Sequence, residues 1–452
     1  MDQATLFDLP PVPAPPREDP PVRRPRLRTA ERSQVVMRML ALDQMLPHDD
    51  EARTVWAFVE QCDLSDLLAE IRAVEGHAGR NSTDPRILLA LWLFATLRGV
   101  GSARELARLC ERHLSYQWLC GDVSLNYHTL ADFRVTHAAT LDRLLSEQIA
   151  VLMHSGAVKL QRVAQDGVRT RASAGKSSFR RRETLEECLA EAQQQVETLK
   201  TEVEDDPAAA SRRETAARQR AAEERVERVT AALAACAEVQ AAKEKRRGDS
   251  LKNPARASTT DPDARNMKMA DGGYRPAYNV QFATDVDSQV IVGVEVTNQG
   301  TDAGQLAPMV EQIENRTGVR PPEVLADGGY TTTGDIQALN RPEQGYKVYV
   351  PVKKEQQFQA KGEDPFAPRP GESPELTEWR TRMGTEEAKT IYKERAATAE
   401  CVNALARQRG LQQFNVRGLV KARTVGVWYA LAHNLQRWAT LCGVIPLSPA
   451  VQ

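Results

Sequence analysis

The chain has 452 residues, with 60 Lys and Arg against 61 Asp and Glu and a formal net charge of −1. That length exceeds one small domain, and the charge balance excludes a molecule-wide field drawing in nucleic acid, so any such binding must come from local patches. Seven scattered cysteines, with no CxxC pair and no histidine spaced for zinc, argue for a reducing cytoplasm and against a structural metal; the longest apolar run, Ile87 to Leu97, is too short to span a bilayer.

Residues 1–30 carry eight prolines and are expected to form a disordered tail. Within it, Gln3-Ala4-Thr5-Leu6-Phe7 has the Gln-x-x-Leu-Phe form. That form resembles the short peptide by which bacterial proteins dock on the replicative sliding clamp, with Leu6 and Phe7 filling an apolar pocket. Residues 31–155 read as an all-helical N-terminal domain. RILLALWLFATLRG is a strongly apolar helix, and SARELARLCERH follows with Ser102 as N-cap and Glu105 closing a capping box. LSYQWLCG and SLNYHTLADFR complete a run of short helices that resembles a DNA-binding helix-turn-helix arrangement, with a plain helical bundle as the alternative.

Residues 156–182 begin a second domain with the β-type segment VKLQRVAQD. From Glu183 the pattern changes: Leu185, Leu189, Ala192, Val196, Leu199 and Val203 recur at heptad spacing. Asp205-Asp206-Pro207 breaks the run. Ser211 and Glu214 form another capping box, and Ala222, Val226, Val229, Leu233 and Cys236 resume the heptad spacing. Residues 183–250 therefore read as an inserted, coiled-coil-like helical hairpin.

Over residues 251–445 the period first becomes two. Tyr278, Val280 and Phe282, a DVDS turn, and Val290, Val292, Val294 and Val296 make a β-hairpin. Asp302 could lie near the site, but Thr301-Asp302 is preferred as the N-cap of a helix bearing Leu306, Val310 and Ile313 and stopping at Gly318. PEVLAD and KVYVPV are further strands, and a last helix opens near Thr385. The order implies an α/β protein with a mixed sheet and covering helices.

Three carboxylates stand out. Asp166 in VAQDG and Asp327 in VLADGG are each expected to end an apolar strand before a glycine, where open α/β sheets display their sites. Glu400 shares a helical face with Tyr392, Arg395, Asn403 and Arg407, an arc of roughly 140° at ~100° per residue; Ile391, Cys401, Val402 and Leu405 take the core-facing side. Oxygen-only donors suit Mg²⁺ or Mn²⁺, and two such ions would serve an in-line phosphoryl displacement. Seven Lys or Arg against two Glu between Lys393 and Arg423, together with the stretches Arg162 to Arg182 and Val22 to Arg28, supply local basic patches.

Asp166 in QDGVRTRASAG, the YNVQFATD hairpin, Asp327 in LADGGY, and the Tyr392, Arg395, Glu400, Arg407 series resemble a DDE transposase of bacterial insertion sequences, in the group with a Tyr-Arg-Glu-Lys signature. RGLVKARTVGVWYALAHNLQRW also matches that group's C-terminal pattern. The resemblance covers roughly Arg32 to Trp438 and implies a ribonuclease-H-like fold, with Asp166, Asp327 and Glu400 as the metal-binding catalytic triad. It also implies Tyr392, Arg395 and Arg407 as contacts to transposon-end DNA. Arg407 stands where the signature has Lys, and Arg395 to Glu400 is one residue longer than the usual spacing. Asn403 on the same face, and Arg169, Arg171, Arg417 and Lys421 in the basic stretches, are further candidates for DNA contact.

The implied activity is cleavage of insertion-sequence ends and joining of the 3′-hydroxyls to target DNA, with two Mg²⁺ or Mn²⁺ ions per site. Terminal inverted repeats and target duplex would be the substrates. A homodimer or larger synaptic assembly, a cytoplasmic and nucleoid-associated location and no membrane partner are expected. The alternatives are a repurposed transposase that binds DNA without catalysis and a metal-dependent nuclease that cuts without joining.

Overall fold

Nearly every position of the apolar run at Ile87 is buried, which is why it shows no polar face. The computed structural model describes residues 41–73, 81–205, 212–245, 253–341 and 345–443. The proline-rich tail, with Gln3, Leu6 and Phe7, and the capping residue Ser211 lie outside the described residues. The N-terminal layer comprises α1 (Leu42–Met45), α2 (Glu51–Val59), α3 (Ser65–Ala69), α4 (Pro85–Leu97), α5 (Ala103–Arg112), α6 (Leu114–Cys120), α7 (Tyr127–Thr136) and α8 (Ala138–His154). Helix α4 opens on Asp84, whose side chain accepts from Arg86 N, with Pro85 in the first turn. Ser102 caps α5 by accepting from Glu105 N at 3.4 Å, while the Glu105 carboxylate pairs with Arg108.

Strand β1 (Arg162–Arg171) is central. It pairs antiparallel with β5 (Tyr274–Asp285) and parallel with β7 (Glu323–Ala326), which pairs parallel with β8 (Lys347–Tyr349). On its other side β5 holds β4 (Arg265–Lys268) and β6 (Ile291–Thr297), both antiparallel. Helix α11 (Leu306–Thr317) stops at Gly318, which takes a left-handed φ of 68°. The chain continues through α12 (Thr333–Leu339), α13 (Glu355–Gln359), α14 (Pro374–Met383), α15 (Glu386–Arg395), α16 (Cys401–Gln408) and α17 (Leu419–Leu441). An antiparallel meander followed by strands added parallel to its first member, with helices covering the sheet, is the ribonuclease-H-like arrangement.

Between β1 and β5 stands the expected helical arm, α9 (Arg182–Asp205) and α10 (Arg212–Glu244). Leu185, Ala192, Ala222, Val229 and Cys236 are buried along its seam. A two-stranded ribbon, β2 (Phe179–Arg180) with β3 (Ala257–Ser258), ties its root, so the insertion leaves β1 and β5 free to pair.

Helix α17 lies against β6 on one side and against α4 and α8 on the other. The Asn434 amide accepts from Ile291 N and donates to Ile291 O, both at 2.8 Å, and so satisfies backbone groups of β6. Trp428 packs on Trp92 and donates to Arg134 O at 3.0 Å. One apolar core thus runs from α2 and α4 through α17 into the sheet. Among the described residues, no helix is long and apolar enough to cross a membrane.

Candidate active site

Asp166 sits in mid-strand, not at a strand end as expected: β1 continues through Gly167 to Arg171 because β5 pairs with it along its length. Asp327 does follow the last residue of its strand. The pairing Gln165 with Ala326 puts the two aspartates at the next matching positions of adjacent parallel strands. Asp166 Oδ1 accepts from Gly167 N at 2.8 Å, and Asp327 Oδ1 accepts from Gly329 N at 2.7 Å. Burial pushes the Asp166 carboxyl above its ordinary value. The Asp327 and Asp302 charges push the same way, against the Gly167 amide and the Arg395 guanidinium.

Glu400 reaches this place through a break in its helix. Thr385 caps α15 as expected, accepting from Ala388 N at 3.1 Å. Arg162 pins that helix to the sheet by pairing with Glu323 of β7 and Glu394 of α15. Residues Ala396–Glu400 then form a π-helical turn before α16 resumes. The turn widens the hydrogen-bond closure to i→i+5, which suits the five-residue step from Arg395 to Glu400. Arg395 Nη2 donates to Glu400 Oε1 at 3.0 Å, its Nη1 lies 3.8 Å from Asp166 Oδ2, and its guanidinium stands 5.7 Å over the Tyr392 ring. Arg395 therefore joins the first aspartate to the glutamate.

The π turn also corrects the expected helical face. One added residue shifts the phase by ~100°, so Asn403 is buried with its Oδ1 unpartnered and Cys401 is exposed, the reverse of a straight-helix reading. Arg407 is exposed in the last turn of α16. Arg171 and Arg417 are exposed where β1 meets the loop after α16: Arg171 N donates to Gln412 O, and Arg417 Nε donates to Ser173 O. Lys421 is exposed near the start of α17. Arg169 donates to Gly300 O at 3.1 Å and lies 3.7 Å from Asp302 Oδ2.

Asp302 is the residue that sequence reasoning placed wrongly. Helix α11 starts later, on Gln305, so Asp302 is not its cap. Its Oδ1 instead accepts from Asn279 Nδ2 at 2.7 Å and Gln281 Nε2 at 2.9 Å. Gln281 in turn accepts from Gln165 and from the buried Tyr330 hydroxyl. A Cβ built on Gly167 would meet Gln281 Nε2 at 2.5 Å, Asp302 Oδ1 at 2.6 Å and Asn279 Oδ1 at 2.8 Å. Burial and the charges of Asp302, Asp166 and Asp327 all raise the Tyr330 hydroxyl well above its ordinary value. The available signal was the pair of polar residues, Asn279 and Gln281, inside an otherwise apolar strand: a buried amide needs a partner.

Among the described residues, no three His, Cys, Asp or Glu side chains converge closely enough to hold a metal ion. Arg395 stands between Asp166 and Glu400 and supplies positive charge there. The donor chemistry still fits a hard divalent cation: the oxygen donors lie beside a carboxyl whose neighbours repel it, and Glu400 is 59% exposed and held through Arg395.

The chain matches the family described as Transposase DDE domain over residues 252–435 and the one described as Transposase domain (DUF772) over residues 40–136. It is thus a DDE-type transposase of the insertion-sequence kind. Asp327 and Glu400 fall within the first match, whereas Asp166 and the helical arm lie in the interval between the two. No curated protein and no solved structure matches the chain.

Proposed function

We propose that this transposase cleaves the ends of its element and joins the exposed 3′-hydroxyls to target DNA at Asp166, Asp327 and Glu400. The observation that carries the reading is the placement of two aspartates at matching positions on parallel strands, with Arg395 linking Asp166 to Glu400. Asp166 and Asp327 would hold divalent Mg²⁺ or Mn²⁺, two ions in the full complement, with Glu400 joining them on release from Arg395. Those ions supply the charge that activates the attacking oxygen and stabilises the leaving one.

The chain's own groups do the rest. Asp302, anchored by Asn279 and Gln281, adds negative charge beside both aspartates and favours a cation there. Arg395, freed from Glu400, has guanidinium donors for a phosphodiester next to the acids. Tyr392 supports that guanidinium from below. Arg169, Arg171, Arg407, Arg417 and Lys421 would contact the DNA backbone. Asn403 would support its helix from the buried side rather than touch DNA.

In this reading residues 31–155 form the DNA-binding helical region, residues 156–182 and 251–445 the catalytic part, and residues 183–250 an arm available for pairing protomers. A dimer would hold two ends, and the protein would work in the cytoplasm on nucleoid DNA. Docking of Gln3, Leu6 and Phe7 on the sliding clamp is a separate proposal, tested by pull-down with the Leu6→Ala/Phe7→Ala tail.

The test of the main reading supplies Mg²⁺ and a precleaved end to purified protein. Joined products are expected from the wild type, and none from Asp166→Asn, Asp327→Asn or Glu400→Gln while duplex binding persists. Nicks alone would identify a nuclease, retardation alone a binder, and full joining by any one variant would remove that carboxylate from the site.

A further inference from the structure

A basic cleft of about 680 Å³ opens at the root of the helical arm, at the end of the sheet away from the acids. Lys176, Lys243, Arg256 and Arg265 line it with Phe179 and Tyr274, and its described lining contains no Asp or Glu. In a chain of net charge −1 this concentration of cations is local, not a share of a general excess.

Three of these four cations are largely unspent. Among the described residues, no hydrogen bond or ion pair holds the side chain of Lys176 or Arg256, and both residues are exposed. Lys243 donates to Asn253 O at 2.8 Å, which leaves two of its N–H groups available. Arg265 is the committed one: its Nη1 donates to Pro262 O at 2.7 Å and Asp263 O at 3.0 Å, its Nη2 meets Glu238 at 3.4 Å, and its side chain is only 19% exposed. Tyr274 is 53% exposed and offers a ring face beside them.

The position of the cleft names its occupant. Arg171 and Arg265 both pair with Ala277, from opposite sides of β5. Directly opposed residues of antiparallel strands share a face, so the two arginines stand on one face of the sheet, ~10 Å apart across two strand spacings. Tyr274 lies eight residues along β5 from Phe282, the partner of Asp166. At ~3.4 Å per residue that step is ~27 Å, or roughly eight base pairs of duplex.

We propose that this cleft binds the phosphodiester backbone of the same DNA duplex whose end lies at the acids, roughly eight base pairs from the cut. The inference rests on the function proposed above and adds a second phosphate-binding place to it. Tyr274, an even number of residues from Phe282, stands on the acids' face of β5, whereas Arg171 and Arg265 stand on the other, so the cleft wraps the end of the sheet.

The experiment measures binding of a duplex of roughly 40 base pairs of arbitrary sequence across a salt series, without metal, for wild type and Lys176→Ala/Arg256→Ala. Each lost phosphate contact removes ~0.9 from the slope of log affinity against log salt. The double variant should therefore show a slope shallower by about two, and the Lys176→Arg/Arg256→Lys variant should restore it. An unchanged slope in the double variant overturns the cleft and leaves the proposed transposition intact. Failure of the wild type to bind duplex overturns both. A shallower slope that the charge-preserving variant does not restore also overturns the cleft, because loss of charge would then not be the cause. Far-ultraviolet circular dichroism confirms that both exposed substitutions leave the fold in place.

Discussion

Strand β1 carries Asp166 at its centre, while β7 stops one residue short of Asp327, although the two strands run parallel and in register. Both aspartates precede glycine, yet the glycines do different work. Gly167 faces Gln281 across the ladder, and the termini of Asn279, Gln281 and Asp302 close over the space where a side chain would be. Gly328 meets nothing within 4 Å, and the close approach on that side falls one residue later, at Gly329. The strand that carries the first aspartate is therefore fixed by a packed polar layer over the next residue, while the second aspartate stands on a turn.

Three alanine substitutions would break or sharpen this contrast. Gly167→Ala should have the largest effect. Its methyl would displace three tethered polar groups from a site with no spare volume, at a cost of ~1–3 kcal/mol, and strand joining should fall with stability. Thermal melting and a joining assay check both. Gly329→Ala should separate the two properties. The new methyl would stand 2.8 Å from Asp327 Oδ1 and 3.3 Å from Asp302 Oδ2, so the Asp327 carboxylate must turn, whereas the strand itself is untouched. Joining should drop with a change in melting under ~1 kcal/mol, the range of substitutions that leave core packing intact. Gly328→Ala should be near neutral, or stabilise by a few tenths of a kcal/mol through the unfolded chain. Equal losses at positions 328 and 167 would show that both aspartates sit in comparable turns, contrary to the geometry.

Much of the fold was legible because the signals are local. The period-two run from Tyr278 to Phe282 became β5, Gly318 ended α11, Thr385 capped α15, and the heptads paired α9 with α10. The carboxylates could be picked out, though not how they are held. A π turn has no strong residue signature, so the five-residue step from Arg395 to Glu400 read as an irregular spacing, and the burial of Asn403 was inverted with it. Asp302 was misplaced because its partners, Asn279 and Gln281, are 23 and 21 residues away and reach it through the β5–β6 pairing that sets Thr297 opposite Asn279. Helix α14 was not among the expected elements, although proline in a first turn favours a helix start.

Trp428 makes the molecule hard to cut. It stands in α17 yet closes the packing around Trp92 and Phe133, more than 290 positions upstream, and its indole is tied to Arg134 O. A fragment carrying only the helices up to α8 would leave that surface wet and would present apolar side chains to any neighbour. Excising the helical layer to test the DNA binding proposed for it would then report aggregation in place of recognition, and intact protein with single substitutions is the better instrument.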